Sequence, residues 1–148
     1  MTNSNLELNK QICHRFYAVT NAFTRAYRPL LKALDLTYPQ YIAMMALWEK
    51  DDVTIQNLLN KTKIDGGTMS LILKKLASKS LLSIKKDEAD GRVKRVKLTK
   101  KGQTAQQKAE KIPEKIRCSL NNINELEAKE LIRLIDKISE ELERASFL

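Results

Sequence analysis

Residues 54–99 read TIQNLLNKTKIDGGTMSLILKKLASKSLLSIKKDEADGRVKRVKLT. Thr54 is placed to cap a short helix whose Ile55, Leu58 and Leu59 share one face. A turn at Lys63–Ile64 leads to Asp65, the cap expected for a second helix. There Met69, Ile72, Leu73 and Leu76 recur at i, i+3, i+4 and i+7 and form an apolar stripe. Thr68, Ser70, Lys74, Lys75 and Ser78 occupy the opposite side, which is hydrogen-bonding and cationic. Two short helices, the second polar on its free face, make a helix-turn-helix. Beyond it Leu82 and Ile84, then Val96 and Leu98, alternate with polar residues around a turn at Asp87–Gly91. This is a β-hairpin, or wing, studded with Lys85, Lys86, Arg92, Lys94, Arg95 and Lys97.

The charge follows the same boundaries. From Lys61 to Lys101 there are 13 Lys and Arg against four Asp and Glu, which accounts for the whole net charge of +9. Segregation of this size is the electrostatic footprint of a nucleic-acid-binding module. A Lys-rich helix can also present nothing more than a solvated basic face. Here periodicity, turn chemistry and charge agree on double-stranded DNA. Thr68, Ser70, Lys74 and Lys75 would enter the major groove, with Lys86, Arg92, Lys94 and Arg95 following the backbone or the adjacent minor groove. The second helix holds no Arg, Asn or Gln, the side chains that read bases in a bidentate manner, so direct readout is expected to be modest.

Outward from this module, Leu6–Leu34 is helical in pattern, with Leu8, Ile12, Phe16, Val19 and Phe23 on one face and a kink or break expected near Tyr27–Arg28, before Pro29. Thr37 to Gln40 reads as a capping box with Pro39 in the first turn, and Ile42, Met45 and Trp48 are expected to face the core. Thr99 caps a long helix running past Gly102 towards Cys118, bent at Pro113. A last helix after Asn124 carries Leu131, Leu134, Ile135, Ile138 and Leu142. The terminal helices, about 6–34 and 100–146, are too apolar on one side to close over a small winged core and predict a homodimer. The expected fold is mainly α with a small β-hairpin: one domain over residues 1–148, in which a winged helix-turn-helix at about 54–99 is flanked by dimerisation helices.

Composition narrows the alternatives. At 43% apolar and 30% charged, with four Gly and three Pro, the chain suits a helix-rich globular protein. No basic stretch leads into an apolar run between Met1 and Cys13, and no apolar run approaches the roughly 20 residues that span a bilayer. A cytoplasmic protein with no membrane partner is expected. Two cysteines far apart and a single histidine offer neither a disulfide framework nor a metal site, and no cofactor is called for.

Cys13 and Tyr17 are four apart on the first helix and share a face. Tyr27 lies 14 residues beyond Cys13, roughly 21 Å along a continuous helix. It can meet Cys13 across a two-fold axis with antiparallel first helices, and Tyr38 can reach the same place. Phenolic hydroxyls stabilise a thiolate and raise the reactive fraction. By residue type alone, a buried and inert Cys13 is the commoner case, because a free cysteine is usually a small buried hydrophobe.

The run FTRAYRPLLKALDLTYPQYIAMMALWE, residues 23–49, together with DGGTMSLILKKL and DEADGRVKRVKLTKKG, resembles the organic-hydroperoxide-sensing repressors of the MarR family over nearly the whole chain. The resemblance implies a dimeric winged-helix repressor, not an enzyme, that leaves a pseudo-palindromic operator when an N-terminal cysteine is oxidised by organic hydroperoxide. Cys13 matches that cysteine. Tyr17, Tyr27 and Tyr38 match the tyrosines around it, and Arg92 matches the wing-tip arginine. Cys118 falls where two-cysteine members carry a resolving cysteine, which implies an intersubunit Cys13–Cys118 disulfide. Gly66 stands where the family usually has Ser and Leu71 where it often has Pro, so no operator sequence is carried over. Three alternatives remain: the same fold gated by a non-covalent phenolic or lipophilic ligand, a thiol peroxidase consuming many equivalents of peroxide, and an architectural DNA binder indifferent to oxidation.

Overall fold

Five helices begin at a side-chain cap that the sequence supplies. Thr37, Thr54, Asp65, Thr99 and Asn124 each accept a hydrogen bond from the backbone N–H three residues on, and at Thr37, Thr54 and Asn124 the reciprocal bond completes a capping box. Each cap satisfies a donor that the first helical turn leaves without a partner, a contribution of about 1 kcal/mol. In the computed structural model, which describes residues 4–145, the elements are α1 (Ile12–Leu31), α2 (Tyr38–Glu49), β1 (Val53–Thr54), α3 (Ile55–Thr62), α4 (Gly66–Ser78), β2 (Leu82–Lys86), β3 (Lys94–Leu98), α5 (Lys100–Ala109), α6 (Ile112–Ser119) and α7 (Glu125–Arg144). Met1–Asn3 of the segment read for a leader, and Ser146 at the end of the expected dimerisation segment, lie outside the described residues.

The chain divides into two units, one ending at Ile112 and the other beginning at Pro113. The first is a winged helix. Its strands pair antiparallel in the order β1-β3-β2, with Val53 opposite Val96, Leu82 opposite Leu98 and Lys86 opposite Lys94. The sequence reading contained only the hairpin. β1 is two residues long, and its strand character comes from pairing with β3 rather than from any period of its own. Under the sheet, Tyr41, Met44, Leu47, Leu58, Met69, Leu73, Leu76 and Val96 are fully buried, each stabilising by roughly 1.5–3 kcal/mol relative to exposure.

The structure departs from the expected helices at several points. α1 starts at Ile12 and not at Leu6, after two single turns of 3-10 helix at Ser4–Leu6 and Leu8–Lys10. The Gln11 amide donates to the Asn5 and Glu7 carbonyls there, and such side-chain bonds compete with a regular helix. Pro29 does not break the helix at Tyr27–Arg28, because α1 continues to Leu31 and then into a 3-10 turn. Proline forfeits one helical bond, and close to the helix end the buried Leu31 with Tyr27 and Leu30 holds the turn in place. In α2 the expected Met45 and Trp48 do pack against the core while half-buried, but the buried residues are Gln40, Tyr41, Ala43, Met44, Ala46 and Leu47, and Ile42 is half-buried. A helix apolar all round is enclosed by neighbours, and its period does not choose a face.

The helix after Thr99 is likewise not one bent rod. α5 ends at Ala109, and Pro113 sits in the first turn of α6, where a missing N–H loses no helical bond. At the start of α5 the Trp48 indole donates to the Gly102 carbonyl at 2.9 Å, and a Cβ on Gly102 would lie 2.0 Å from the Leu81 carbonyl oxygen. In the second unit α7 carries its stripe of Leu131, Leu134, Ile135, Ile138 and Leu142, none of it buried, and Lys129–Glu125 and Arg133–Glu130 ion pairs one turn apart. No described helix is long and apolar enough to cross a membrane.

Candidate nucleic-acid interface and thiol region

α4 is locked by its inner face and presents its outer one. Met69, Ile72, Leu73 and Leu76 are buried, while Thr68, Ser70, Leu71, Lys74, Lys75 and Ser78 are exposed. At 3.6 residues per turn the centre of the outer face falls on Gly67, Leu71, Lys74 and Ser78, with Thr68 and Lys75 on one flank and Ser70 on the other. The turn before α4 is fixed by Lys63 in the left-handed region (φ 58°), whose N–H bonds to the Leu59 carbonyl at 2.9 Å. Asp65 accepts from the Thr68 N–H at 2.9 Å. Hydrogen bonds from Thr68 hold its carboxyl below the usual range. Among the described residues Lys74, Lys75, Lys86 and Lys94 form no ion pair, so their charge is available to a partner.

The wing tip is built by carboxylates. The Asp87 Oδ1 accepts from the backbone of Ala89 and Asp90, and the Asp87 N–H bonds to the Val93 carbonyl at 2.8 Å. Those backbone bonds, chiefly from Asp90, lower the pKa of Asp87. Arg92 stands at the tip with its side chain 92% exposed, in a loose pair with Asp90 at 3.2 Å. Lys86 and Lys94 face one another across the strands.

Arg95 differs from its neighbours. Its Nε donates to Asp52 Oδ1 at 2.8 Å, its Nη1 to Asp87 Oδ2 at 3.3 Å, and its Nη2 to the Asp52 carbonyl. Arg95 thus braces the wing against the β1 end of the sheet, and its hydrogen bond lowers the pKa of Asp52. Sequence reasoning missed this brace, because Asp52 is 43 residues away and acquires its position only through the sheet. It also missed Leu71, which is 64% exposed in the middle of α4.

The thiol region is divided within one protomer. Within one protomer Cys13 is exposed in the first turn of α1, and Tyr17 is exposed one turn on. Tyr27 and Tyr38 come together as a stacked pair with ring centroids 4.4 Å apart, and Tyr41 joins them at 5.8 Å from Tyr27. Burial raises the pKa of all three phenols, so they remain protonated hydrogen-bond donors well into the alkaline range. This cluster lies about 21 Å along α1 from Cys13. Cys118 is exposed on α6 in the second unit. Among the described residues no group of His, Cys, Asp or Glu is arranged to hold a metal.

Residues 25–112 match the family model described as transcriptional regulator SarA/Rot. The organic hydroperoxide resistance transcriptional regulator of Bacillus subtilis is 35% identical over 108 residues, 73% of this chain and 74% of that protein. Reduced AbfR bound to DNA, a protein of Staphylococcus epidermidis, superposes with a TM-score of 0.78 at 22% identity over 97% of this chain and 98% of its own. BpsR of Bordetella bronchiseptica, in a structure concerned with regulation of its DNA binding by 6-hydroxynicotinic acid, reaches a TM-score of 0.82 at 22% identity, covering 90% and 96% of the two chains.

Proposed function

The chain belongs to the SarA/Rot family of transcriptional regulators, winged-helix proteins of the MarR type, and from that premise we propose that it is a cytoplasmic, homodimeric DNA-binding repressor that leaves its operator when Cys13 is oxidised by organic hydroperoxide. The observation that carries the DNA half is the outer face of α4, where lysines without acidic partners lie beside a basic wing. Phosphate contacts from Lys74, Lys75, Lys86 and Lys94 fix the register, Thr68 and Ser70 approach base edges, and the extended Arg92 enters the adjacent minor groove. Arg95 acts at one remove by holding the wing.

The redox half rests on Cys13 being exposed and on kinship with a hydroperoxide-resistance regulator. The Cys13 thiolate attacks the outer peroxide oxygen, the O–O bond breaks, and the alkoxide takes up a proton and leaves as an alcohol. Sulfur becomes a sulfenic acid, two electrons having passed to the peroxide. The Cys118 thiolate of the partner then attacks that sulfur, the S–O bond breaks, the leaving hydroxide takes up a proton to become water, and an intersubunit disulfide closes. Tyr17 lies one turn from Cys13 in the same protomer, while Tyr27 and Tyr38 serve the partner's Cys13 across the dimer axis. The apolar faces of α1 and α7 supply the dimer contact. Rearranging it changes the spacing of the two α4 helices, which must meet half-sites about one helical turn apart. Chemistry ends after one equivalent of peroxide per protomer, as befits a sensor and not a peroxidase.

One feature bears on the alternative of gating by a phenolic or lipophilic ligand: a cavity of about 440 Å³ lined by Arg28, Pro29, Lys32, Asp35, Leu36, Thr37 and Lys79, in which Asp35 pairs with Lys79 at 3.2 Å. Intact mass and non-reducing gel mobility after one equivalent of cumene hydroperoxide decide between them. A covalent dimer requiring both Cys13 and Cys118 is the expected result. Unmodified protein would transfer the case to the cavity, and Cys13→Ser would then leave induction intact.

A further inference from the structure

We propose that Leu71 is a specificity-determining residue that reads the C5-methyl group of one thymine in each operator half-site. This rests on the DNA-binding reading above and adds the base that α4 selects. Between Val19 and Leu120 only two large apolar side chains are exposed among the described residues, Leu71 at 64% and Ile84 on the wing at 38%. Isolated exposed leucines are ordinary on protein surfaces. This one occupies the centre of the outer face of α4, beside Lys74 and Lys75, which form no ion pair among the described residues, and next to the basic wing. Gly67 lies one turn before it and Lys74 and Lys75 one turn after. Met69, Ile72, Leu73 and Leu76 already fill the inner face, so Leu71 adds nothing to the core and cannot turn inward.

The chemistry points to one base. In the major groove only thymine displays a methyl group, and an apolar side chain recognises it by excluding water. α4 has no Arg, Asn or Gln to grip guanine or adenine, so an apolar contact is the readout its central position can make. Gly67, on the same face one turn ahead of Leu71, presents no side chain. The start of α4 can therefore approach the groove floor closely enough for a leucine to touch the methyl. The flanking lysines hold the helix there by the phosphates.

The test uses full-length dimer and duplexes selected from a random-sequence pool. In the enriched site each thymidine is replaced singly by deoxyuridine, which removes the methyl and leaves every hydrogen-bonding group unchanged. Wild-type protein should lose about fourfold in affinity at one thymidine per half-site, the value of one methyl-sized transfer. Leu71→Ala should bind the thymidine and deoxyuridine duplexes equally, and Leu71→Met should restore the preference. Both substitutions fall on an exposed position among good helix formers and leave folding intact. Equal losses in wild type and Leu71→Ala would assign the methyl to another side chain and overturn the proposal. No loss at any thymidine would overturn it as well, while enrichment itself would still uphold DNA binding. A pool from which wild type enriches nothing would remove the DNA-binding reading and this proposal together.

Discussion

Replacing Gly102 by alanine sets two physical effects against each other. Gly102 lies in the first turn of α5, where intrinsic propensity favours alanine by up to about 1 kcal/mol. Against this, the new Cβ would sit 2.0 Å from the Leu81 carbonyl oxygen and 3.0 Å from its carbon, with the Leu98 Cδ2 at 3.2 Å. The obstacle is backbone, and that carbonyl also accepts the Thr99 N–H at 3.1 Å, so either α5 or the segment before β2 must move. Such overpacking costs typically 1–3 kcal/mol. Weakening the Thr99 bond and the Trp48 indole bond to Gly102 at 2.9 Å adds about 1 kcal/mol each. The net expectation is a destabilisation of about 2–4 kcal/mol. With a urea m-value of about 2 kcal/mol/M, the midpoint of unfolding should fall by 1–2 M. Trp48 is the chain's one tryptophan and reports the transition by fluorescence. A Gly102→Ala protein as stable as the parent would show that α5 does not press on Leu81 and that propensity alone governs the site.

Asp65→Ala removes the α4 cap and should lower stability by about 1 kcal/mol in the same titration. The depressed pKa of Asp65 gives the related pH effect: its contribution is complete above the unfolded value near 3.8 and fades as pH falls through the lower folded value, so the cost of Asp65→Ala should shrink in acid. Lys94→Ala should weaken binding alike on all sequences and reduce the slope of log affinity against log salt by about 0.9 per protomer, measured by fluorescence anisotropy; an unchanged slope would take the wing off the phosphates. Tyr27→Phe should slow the oxidation of Cys13 in stopped-flow thiol assays, and an unchanged rate would mean that this hydroxyl does not activate the thiol.

Where a role depends on neighbours in sequence, it was readable. Thr37, Thr54, Asp65 and Thr99 cap helices as expected, because a cap needs only its own side chain and the next turn. The buried stripe of α4 and the strands of the wing follow from periods of 3.6 and 2 in the same way. What stayed hidden depends on packing at long range. α2 is apolar all round and takes its buried face from what surrounds it. β1 exists through β3. Arg95 reads as one more wing cation until the sheet brings Asp52 against it. The tyrosines illustrate both sides: Tyr27 and Tyr38 were grouped from the resemblance and do stack, yet Cys13 is at the far end of the same helix, so the proposed site is completed only by a second copy of the chain.

The most direct measurement is the affinity of the dimer for one selected duplex before and after a single equivalent of organic hydroperoxide, followed by thiol reductant. Oxidation should weaken binding at least about tenfold, a shift of roughly 1.4 kcal/mol, with reductant restoring it and Cys13→Ser abolishing the response. Equal affinity in the reduced and oxidised wild-type protein, with Cys13 shown by mass to be oxidised, would contradict the redox switch.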